Sequence, residues 1–524
     1  MDALFVPLAG VVGASVDQVK LISCLLVAYP LGSIFVRIPS SKPHLKHLFN
    51  IAVSLFYFLP MLGMYTGFLQ LLGDILVTYF VAKSSGKAKW MPWFVFIFIL
   101  GHLMFNHVIR VIYGLSYETI EVTGPQMVLT MKLTTFAWNV WDGRRDEKDL
   151  DKWQLEKSVK EFPSLLEFLG YALYFPGVLV GPSLEFSDYM NLVYERTFTA
   201  PGKHEGGRRL PTGRKRVGYR KMFTGLAFLG VFVVFGGKNN FGVMVTDWFA
   251  EQSWGKRRAL RALYGTCERT KYYAIWTLTE GASILTGYGF TGFTATGQST
   301  WNGAANVIPL AIELPTNFKV LLDSWNMKAN VWLRECVYKR VTPKGKKPGF
   351  FSSMLTFGTS AFWHGAQVGY YLTFLMGGFI TPAARLARVH FRPFFLPPPS
   401  PSAKSLASLK PLYDILTILT SLLVLNYVAA PFMLLTWKDS ITGWSNLKWY
   451  GHVIVVGALV FFYAGGAKWT RGVQKKMGLL EDKGKGAEKK GAPFGGPANG
   501  NGATPIAEKT FQLPPGIDRV IPPQ

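Results

Sequence analysis

The sequence predicts an all-α polytopic membrane protein, and three observations carry that prediction. Hydrophobic residues make up 49% of the 524-residue chain and charged residues only 17%. Stretches without Asp, Glu, Lys or Arg recur over 21–36, 48–73, 90–109, 168–184, 222–237, 281–312, 348–384, 415–437 and 449–467. Many are apolar all round, as in LLVAYPLGSIFV and FVFIFILGHLMF, whereas a helix on a soluble core keeps a polar face.

A helix crossing the hydrocarbon core needs about 20 mostly apolar residues. With the shorter apolar pieces around 69–82 and 124–141, that rule predicts roughly ten or eleven transmembrane helices. They form one multi-span domain over 1–475. After Met477 the chain turns to EDKGKGAEKKGAPFGGPANGNG, too poor in apolar surface to fold, so 476–524 is expected to be a disordered basic tail. The opening MDALFVPLAG lacks a signal peptide's basic region and cleavage pattern, so the first span is expected to act as its own targeting signal.

Lysine and arginine number 56 against 31 acidic residues, a net charge of +25. The cations cluster over 203–221, 339–347 and 468–490, which the positive-inside rule assigns to the cytosolic side. Attraction to anionic lipid accounts for most of them, and steering of a polyanionic substrate for a minority. Nucleic-acid binding is not predicted, because the cations lie between spans with no recognition motif around them. Cys24, Cys267 and Cys336 show no paired spacing, which gives no support for a disulfide scaffold or structural zinc. His102 and His107 lie near a helix end without further ligands, so no metal site is predicted.

Asn106, His107, Asn139, Glu167, Glu280, Asn326, Asn330 and His364 fall within or beside the apolar runs. Polar atoms at membrane depth must face a bundle interior or a water-filled cavity, so the helices are expected to enclose a polar chamber. His364 stands out: it lies in SAFWHGAQVGYY, inside 37 residues (348–384) free of formal charge, as part of one tilted helix or at the joint between two. An ionisable group at that depth is a functional candidate by default. The segment from Ser324, SWNMKANVWLRECVYKR, places Asn326 and Asn330 four apart, a spacing that shares one face of a helix. Spacing alone leaves two roles open for these asparagines, hydrogen bonding between helices and catalysis.

Together, SWNMKANVWLRECVYKR and, 38 residues after Asn326, the WHG of SAFWHGAQVGYY resemble the membrane-bound O-acyltransferase family, in particular its fungal-type lysophospholipid acyltransferase branch. EFPSLLEFLGYALYFPGVLVGPSLEFSDY (Glu161 to Tyr189), NVWDGRR (Asn139 to Arg145) and LTEGASILTGYGFTG around Glu280 are similar to further family segments, so the resemblance covers about 90–470. Ala329 departs from the pattern, where a hydroxyl residue such as Thr is expected.

The resemblance implies an acyl-CoA-dependent O-acyltransferase that esterifies the free hydroxyl of a lysophospholipid. His364 would be the general base and Asn326 the donor to the carbonyl oxygen or the group that orients the substrates. Asn330 would support them, and Trp325 and Trp363 would wall the site or simply pack between helices. Glu280 and Asp142 are secondary candidates, Asp142 being more simply an interfacial ion pair with Arg144 and Arg145. Lys328, Arg334, Lys339 and Arg340 would meet the CoA phosphates or anchor the chain at the interface.

Acyl-CoA enters as co-substrate, no permanently bound cofactor is expected, and the acceptor arrives from the bilayer. Such substrates call for a tunnel lined by re-entrant or broken helices, for which the Gly-rich 281–303 and the region of Pro309 and Pro315 are suited. The implied location is the endoplasmic reticulum membrane, with the C-terminal tail in the cytosol. Two alternatives stand beside this reading. A sterol or diacylglycerol acyltransferase of the same family would carry an aromatic-x-Asp-Trp-Trp-Asn pattern, of which Asp323-Ser324-Trp325-Asn326 keeps only part. A transporter would often show an internal repeat, and no obvious one is present. None of the eight histidines is followed by Asp at the fifth position, which argues against the other large glycerolipid acyltransferase family.

Overall fold

The computed structural model describes residues 1–115, 119–198, 210–342, 346 and 349–480. The expected tail from Glu481 onward lies outside the described residues, as do Lys203, Arg208 and Arg209 of the first basic segment and Lys344 and Lys347 of the second.

Local signals set the first helix boundaries. A short α1 (Asp2–Val12) ends on left-handed Gly13, and Ser15 with Gln18 forms a capping box that opens α2 (Val16–Phe35). α3 (Pro43–Phe56) starts on a proline and runs on through a π turn over Tyr57–Met61. α4 (Tyr65–Ser85), α5 (Met91–Ile112) and α6 (Thr123–Asp142) follow, and α6 is buried along nearly its whole length. Capping boxes at Asp151 and Ser164 start the short α7 (Lys152–Lys157) and α8 (Leu165–Ala172), which precede α9 (Phe186–Val193).

The second half holds α10 (Arg214–Val231), α11 (Asp247–Glu251) and the long α12 (Trp254–Leu285). A minimal antiparallel hairpin, β1 (Gly292–Phe293) with β2 (Ser299–Thr300), interrupts an otherwise helical chain. Then come α13 (Pro309–Glu313), α14 (Phe318–Ser324), α15 (Met327–Leu333), α16 (Phe350–His364) and α17 (Val368–Phe391). α18 (Lys410–Val428), α19 (Ala430–Leu434), α20 (Trp437–Asn446), α21 (Tyr450–Phe461) and α22 (Ala467–Lys476) close the described chain.

Among the described residues six helical segments are long and apolar enough to cross a bilayer, and they contain α2, α4, α5, α10, α18 and α21. Much of the remaining apolar length is broken, the architecture expected around an internal tunnel. The run 168–184 leaves α8 after Ala172 and continues as irregular backbone, with Leu173, Tyr174, Phe175 and Leu179 buried in protein. The run 281–312 leaves α12 after Leu285 and stays irregular except for the hairpin until α13. Non-helical backbone is tolerated at membrane depth only where other protein covers it or it lines a cavity.

Helix ends brought inside the bundle leave carbonyls without intrahelical partners. The structure supplies side-chain donors for them. Lys132 on α6 donates to Tyr171 O at 2.5 Å and Ala172 O at 3.0 Å, at the end of α8. Lys46 reaches Val193 O, the last residue of α9, at 3.1 Å, and Arg214 donates to Leu285 O, the last of α12. Arg257 caps α20 at Asn446 O (2.7 Å), and Thr373 caps α18 at Val428 O (2.8 Å). Four of these five donors are cationic, matching the partial negative charge of a helix C-terminus.

α10 packs along α12 through glycines: a Cβ at Gly225 would lie 2.7 Å from Leu278 Cγ, and one at Gly218 2.8 Å from Leu285 Cδ2. Small residues let the two backbones approach closely, which drives helix association in lipid. Gly225→Leu is therefore expected to cost about 1–3 kcal/mol by overpacking, seen as a lower unfolding midpoint of the detergent-solubilised protein. Gly230→Leu, where nothing lies within 4 Å, should leave that midpoint unchanged.

Candidate active site

His364 is the last residue of α16. The helix stops there because Gly365 adopts φ 134° and ψ −170°, a backbone state that side chains strongly disfavour, and its amide closes onto Ala361 O and Phe362 O at 3.2 Å each. A Cβ at 365 would also press on the His107 ring at 3.3 Å. The uncharged run 348–384 is thus two helices, α16 and α17, with His364 at the joint.

The His364 ring stacks on Phe374 (5.2 Å between centroids, 20° between planes) and meets Trp363 (4.7 Å) and Phe432 (4.8 Å) near edge-on. Among the described residues neither ring nitrogen has a hydrogen-bond partner. Packing alone holds the imidazole, and its nitrogens remain free for a substrate. The carbonyl just before it is held: His107 Nε2 lies 3.3 Å from Trp363 O, where its N–H donates to another helix-end carbonyl. His107, placed by the sequence near a helix end, is buried and braces the residue next to His364.

Asn326 sits between α14 and α15 in the left-handed conformation, φ 43° and ψ 55°. It is the residue before α15, so the helical face it was expected to share with Asn330 does not exist. Asn330 lies within α15 and donates from Nδ2 to Leu322 O at 2.9 Å, tying α15 back to α14. Asn326 instead accepts a bond from Asn306 Nδ2 at 3.2 Å. Asn306 also accepts from Lys328 N through Oδ1 and from Met327 N through its carbonyl, both at 2.9 Å. The sequence reading missed Asn306, whose one signal was its place at the end of the Gly-rich, charge-free 281–312 run.

Both candidates open into one cavity of about 530 Å³. His107, Asn306, Asn326, Lys328, Trp363 and His364 contribute to its wall, with Tyr272, Trp276, Phe432 and the irregular Leu179–Ser183 segment. Arg110, paired with Glu121 at 2.9 Å, also lines it. The Gly-rich 281–303 stretch is largely irregular as expected, yet it does not line this cavity; from the charge-free 281–312 run only Asn306 does.

The other predicted residues are placed as follows. Trp363 lines the cavity and donates from Nε1 to Met127 O at 3.0 Å. Trp325 packs edge-on against Tyr272 and Trp276, one layer behind the wall (5.4 and 5.1 Å). Lys328 lines the cavity and donates to Gly303 O at 2.7 Å. Ala329 is buried among aromatic residues including Trp332 and Trp363, an apolar setting. Glu280 is buried on α12, paired with Lys221 at 3.0 Å, outside the cavity wall.

Arg334 and Lys339 engage Glu335 at 2.8 and 2.7 Å, and Lys339 also reaches Asp151 at 2.7 Å. The interfacial pairing expected for Asp142 is corrected: its side chain is fully buried. Arg340 grips it with two bonds (2.9 and 2.5 Å), and Arg145 adds a third at 3.0 Å. Arg144 turns away to Lys160 O. Arg340 also lies over the Trp138 ring at 4.4 Å, so Asp142 joins α6 to the turn after α15.

Comparison with known proteins gives the family. The model of the membrane-bound O-acyltransferase family matches residues 109–429. The chain is 37% identical over 462 residues to a lysophospholipid acyltransferase of Schizosaccharomyces pombe, covering 88% of this chain and 89% of that one. It is 36% identical over 460 residues to a lysophospholipid acyltransferase of Saccharomyces cerevisiae, covering 84% and 73%. Identity to membrane-bound glycerophospholipid O-acyltransferase 2 of Homo sapiens is 31% over 472 residues, covering 88% and 87%. These matches, and not the cavity, give the class: the polytopic helical bundle is an acyltransferase. The chain belongs to the membrane-bound O-acyltransferase family.

The Asp142–Arg340 pair generates a stability prediction. Removing one partner of a buried pair strands a charge and costs about 3–5 kcal/mol, whereas replacing both by apolar residues is often near neutral. Asp142→Leu, which strands the Arg340 guanidinium, should sharply lower the unfolding midpoint, and Asp142→Leu/Arg340→Leu should recover most of the loss in the same thermal assay.

Proposed function

We propose that the protein transfers the acyl group of acyl-CoA to the free hydroxyl of a lysophospholipid, re-forming a phospholipid. The observation that carries this reading is one shared cavity, into which open both the His364 imidazole, whose nitrogens have no hydrogen-bond partner among the described residues, and the Asn326 carboxamide. His364 takes the proton of the acceptor hydroxyl as its oxygen attacks the thioester carbonyl carbon. Charge then builds on the carbonyl oxygen, and the Asn326 NH₂ donates to it. As the intermediate collapses, the C–S bond breaks and the CoA sulfur leaves with a proton returned by the imidazolium. No acyl-enzyme forms. The proton His364 carries meanwhile sits at a helix C-terminus, beside carbonyl dipoles that favour positive charge.

Several features support a lysophospholipid acceptor in a membrane. The mostly apolar wall suits acyl chains, and the Arg110–Glu121 pair in the same wall suits a charged head group better than a sterol or diacylglycerol. The names of the fungal relatives point the same way. Lys328 is the cation in the cavity wall beside Asn326, suited to the polyanionic end of acyl-CoA. The basic segments are read as cytosolic and the membrane as that of the endoplasmic reticulum.

Purified protein incubated with labelled acyl-CoA should form ester on lysophospholipid and none on sterol or diacylglycerol. A preference for either neutral lipid overturns the acceptor, and no ester at all favours a transporter. His364→Ala is expected to lower turnover by at least about 10²-fold, and Asn326→Ala by about 10²–10³-fold, both in folded, membrane-inserted protein. Asn330→Ala should be milder, since its amide braces α14 against α15. Wild-type turnover in His364→Ala would remove the base assignment.

A further inference from the structure

We propose that Asn306 sets the orientation of the Asn326 carboxamide, so that Asn326 turns its NH₂ group, and not its oxygen, into the reaction chamber. The inference rests on the reading of Asn326 as the donor to the carbonyl oxygen. Carboxamide oxygen and nitrogen are nearly alike in shape, and their placement follows from the hydrogen-bond network. Here one member of that network is unambiguous. The backbone N–H of Lys328 only donates, and it meets the Asn306 side chain at 2.9 Å, so the Asn306 atom facing it is oxygen. The other end of that carboxamide is then NH₂, which donates to Asn326 at 3.2 Å, so Asn326 presents its oxygen to Asn306. The remaining end of Asn326 is its NH₂. Among the described residues nothing accepts from that group, and Asn326 lines the cavity.

Two carboxamides are therefore aligned in series from one backbone amide. Asn306 is well placed for this, being only 3% exposed. Its own carbonyl accepts from Met327 N at 2.9 Å, and Ile308 N donates to Ser324 O at 3.0 Å, so residues 306–308 are laced to the chain on both sides of Asn326. The lacing holds Asn326 in the left-handed region, which asparagine tolerates better than most residues. Without Asn306 the Asn326 amide is free to rotate, and an oxygen facing the chamber repels the developing oxyanion. Asn306 is thus a positioning residue that acts through Asn326.

The test uses the full-length purified enzyme, acyl-CoA and a lysophospholipid, and compares Asn306→Asp, Asn306→Ala, Asn326→Ala and Asn306→Ala/Asn326→Ala. An aspartate at 306 keeps the shape and still accepts from Lys328 N–H, but its second oxygen demands a donor and draws the Asn326 NH₂ away from the chamber. Asn306→Asp should lose about 10²-fold in kcat with KM for both substrates unchanged. The double variant should be no slower than Asn326→Ala alone, because groups acting as a unit are not additive.

Wild-type kcat in both Asn306 variants, with Asn326→Ala impaired, overturns the inference and leaves the Asn326 reading intact. Losses that multiply in the double variant overturn it in favour of a purely structural role. Wild-type kcat in Asn326→Ala removes the Asn326 reading and this inference with it. The alanine cycle decides the question by itself if Asn306→Asp does not fold.

Discussion

Helix ends inside a membrane protein must find polar partners, because no water is at hand to take up their free amides and carbonyls. This chain brings many helix ends indoors. Lys132, Lys46, Arg214, Arg257 and Thr373 each satisfy the C-terminal carbonyls of a different helix, with sequence separations from 39 residues (Lys132 to Tyr171) to 189 (Arg257 to Asn446). Such bonds fix where each helix stops, and so fix the walls of the space between them. Lys46, Lys132 and Arg214 thus serve as buried caps, while other cations inside the bundle pair with carboxylates, as Arg269 does with Glu313 and Arg340 with Asp142.

The same constraint shapes the candidate active site. His364 ends α16, Asn326 precedes α15, and both lie where regular helix has been interrupted. An interruption exposes backbone, and here His107 answers the α16 carbonyl while Asn306 answers the first amides of α15. The partners that make the breaks tolerable are thereby the residues that hold His364 and Asn326 in place. In the proposed mechanism, the polar supports of the fold and the positioning of the site are one set of hydrogen bonds.

Much of the bundle was legible in the sequence, because membrane insertion demands long uncharged runs that composition reveals directly. His364 and Asn326 were legible too: each stands in a compact motif, and an ionisable group amid 37 uncharged residues is conspicuous. Where each run breaks was harder to read, since the ends at Ala172, Leu285 and Gly365 depend on distant partners as much as on local glycines. Asn306 and His107 stood in charge-free runs, but nothing local marked what they bond to; their partners lie 20 to 22 and 256 residues away. Asp142 misled for the same reason. The local pair with Arg145 exists, but burial and the two-bond contact come from Arg340, 198 residues on. The helical spacing of Asn326 and Asn330 also misled, because the left-handed turn at 326 lies just outside the helix that 330 occupies.

The central claim, that His364 and Asn326 act on one thioester carbonyl in a shared chamber, is tested most directly by a structure of the protein bound to a ketone analogue of acyl-CoA, in which a methylene replaces the sulfur. The account predicts the ketone oxygen within hydrogen-bonding distance of Asn326 Nδ2, with the His364 imidazole on the open face of the same carbonyl carbon. A ketone lying outside the cavity, or hydrogen-bonded within it to neither residue's neighbourhood, would contradict the account.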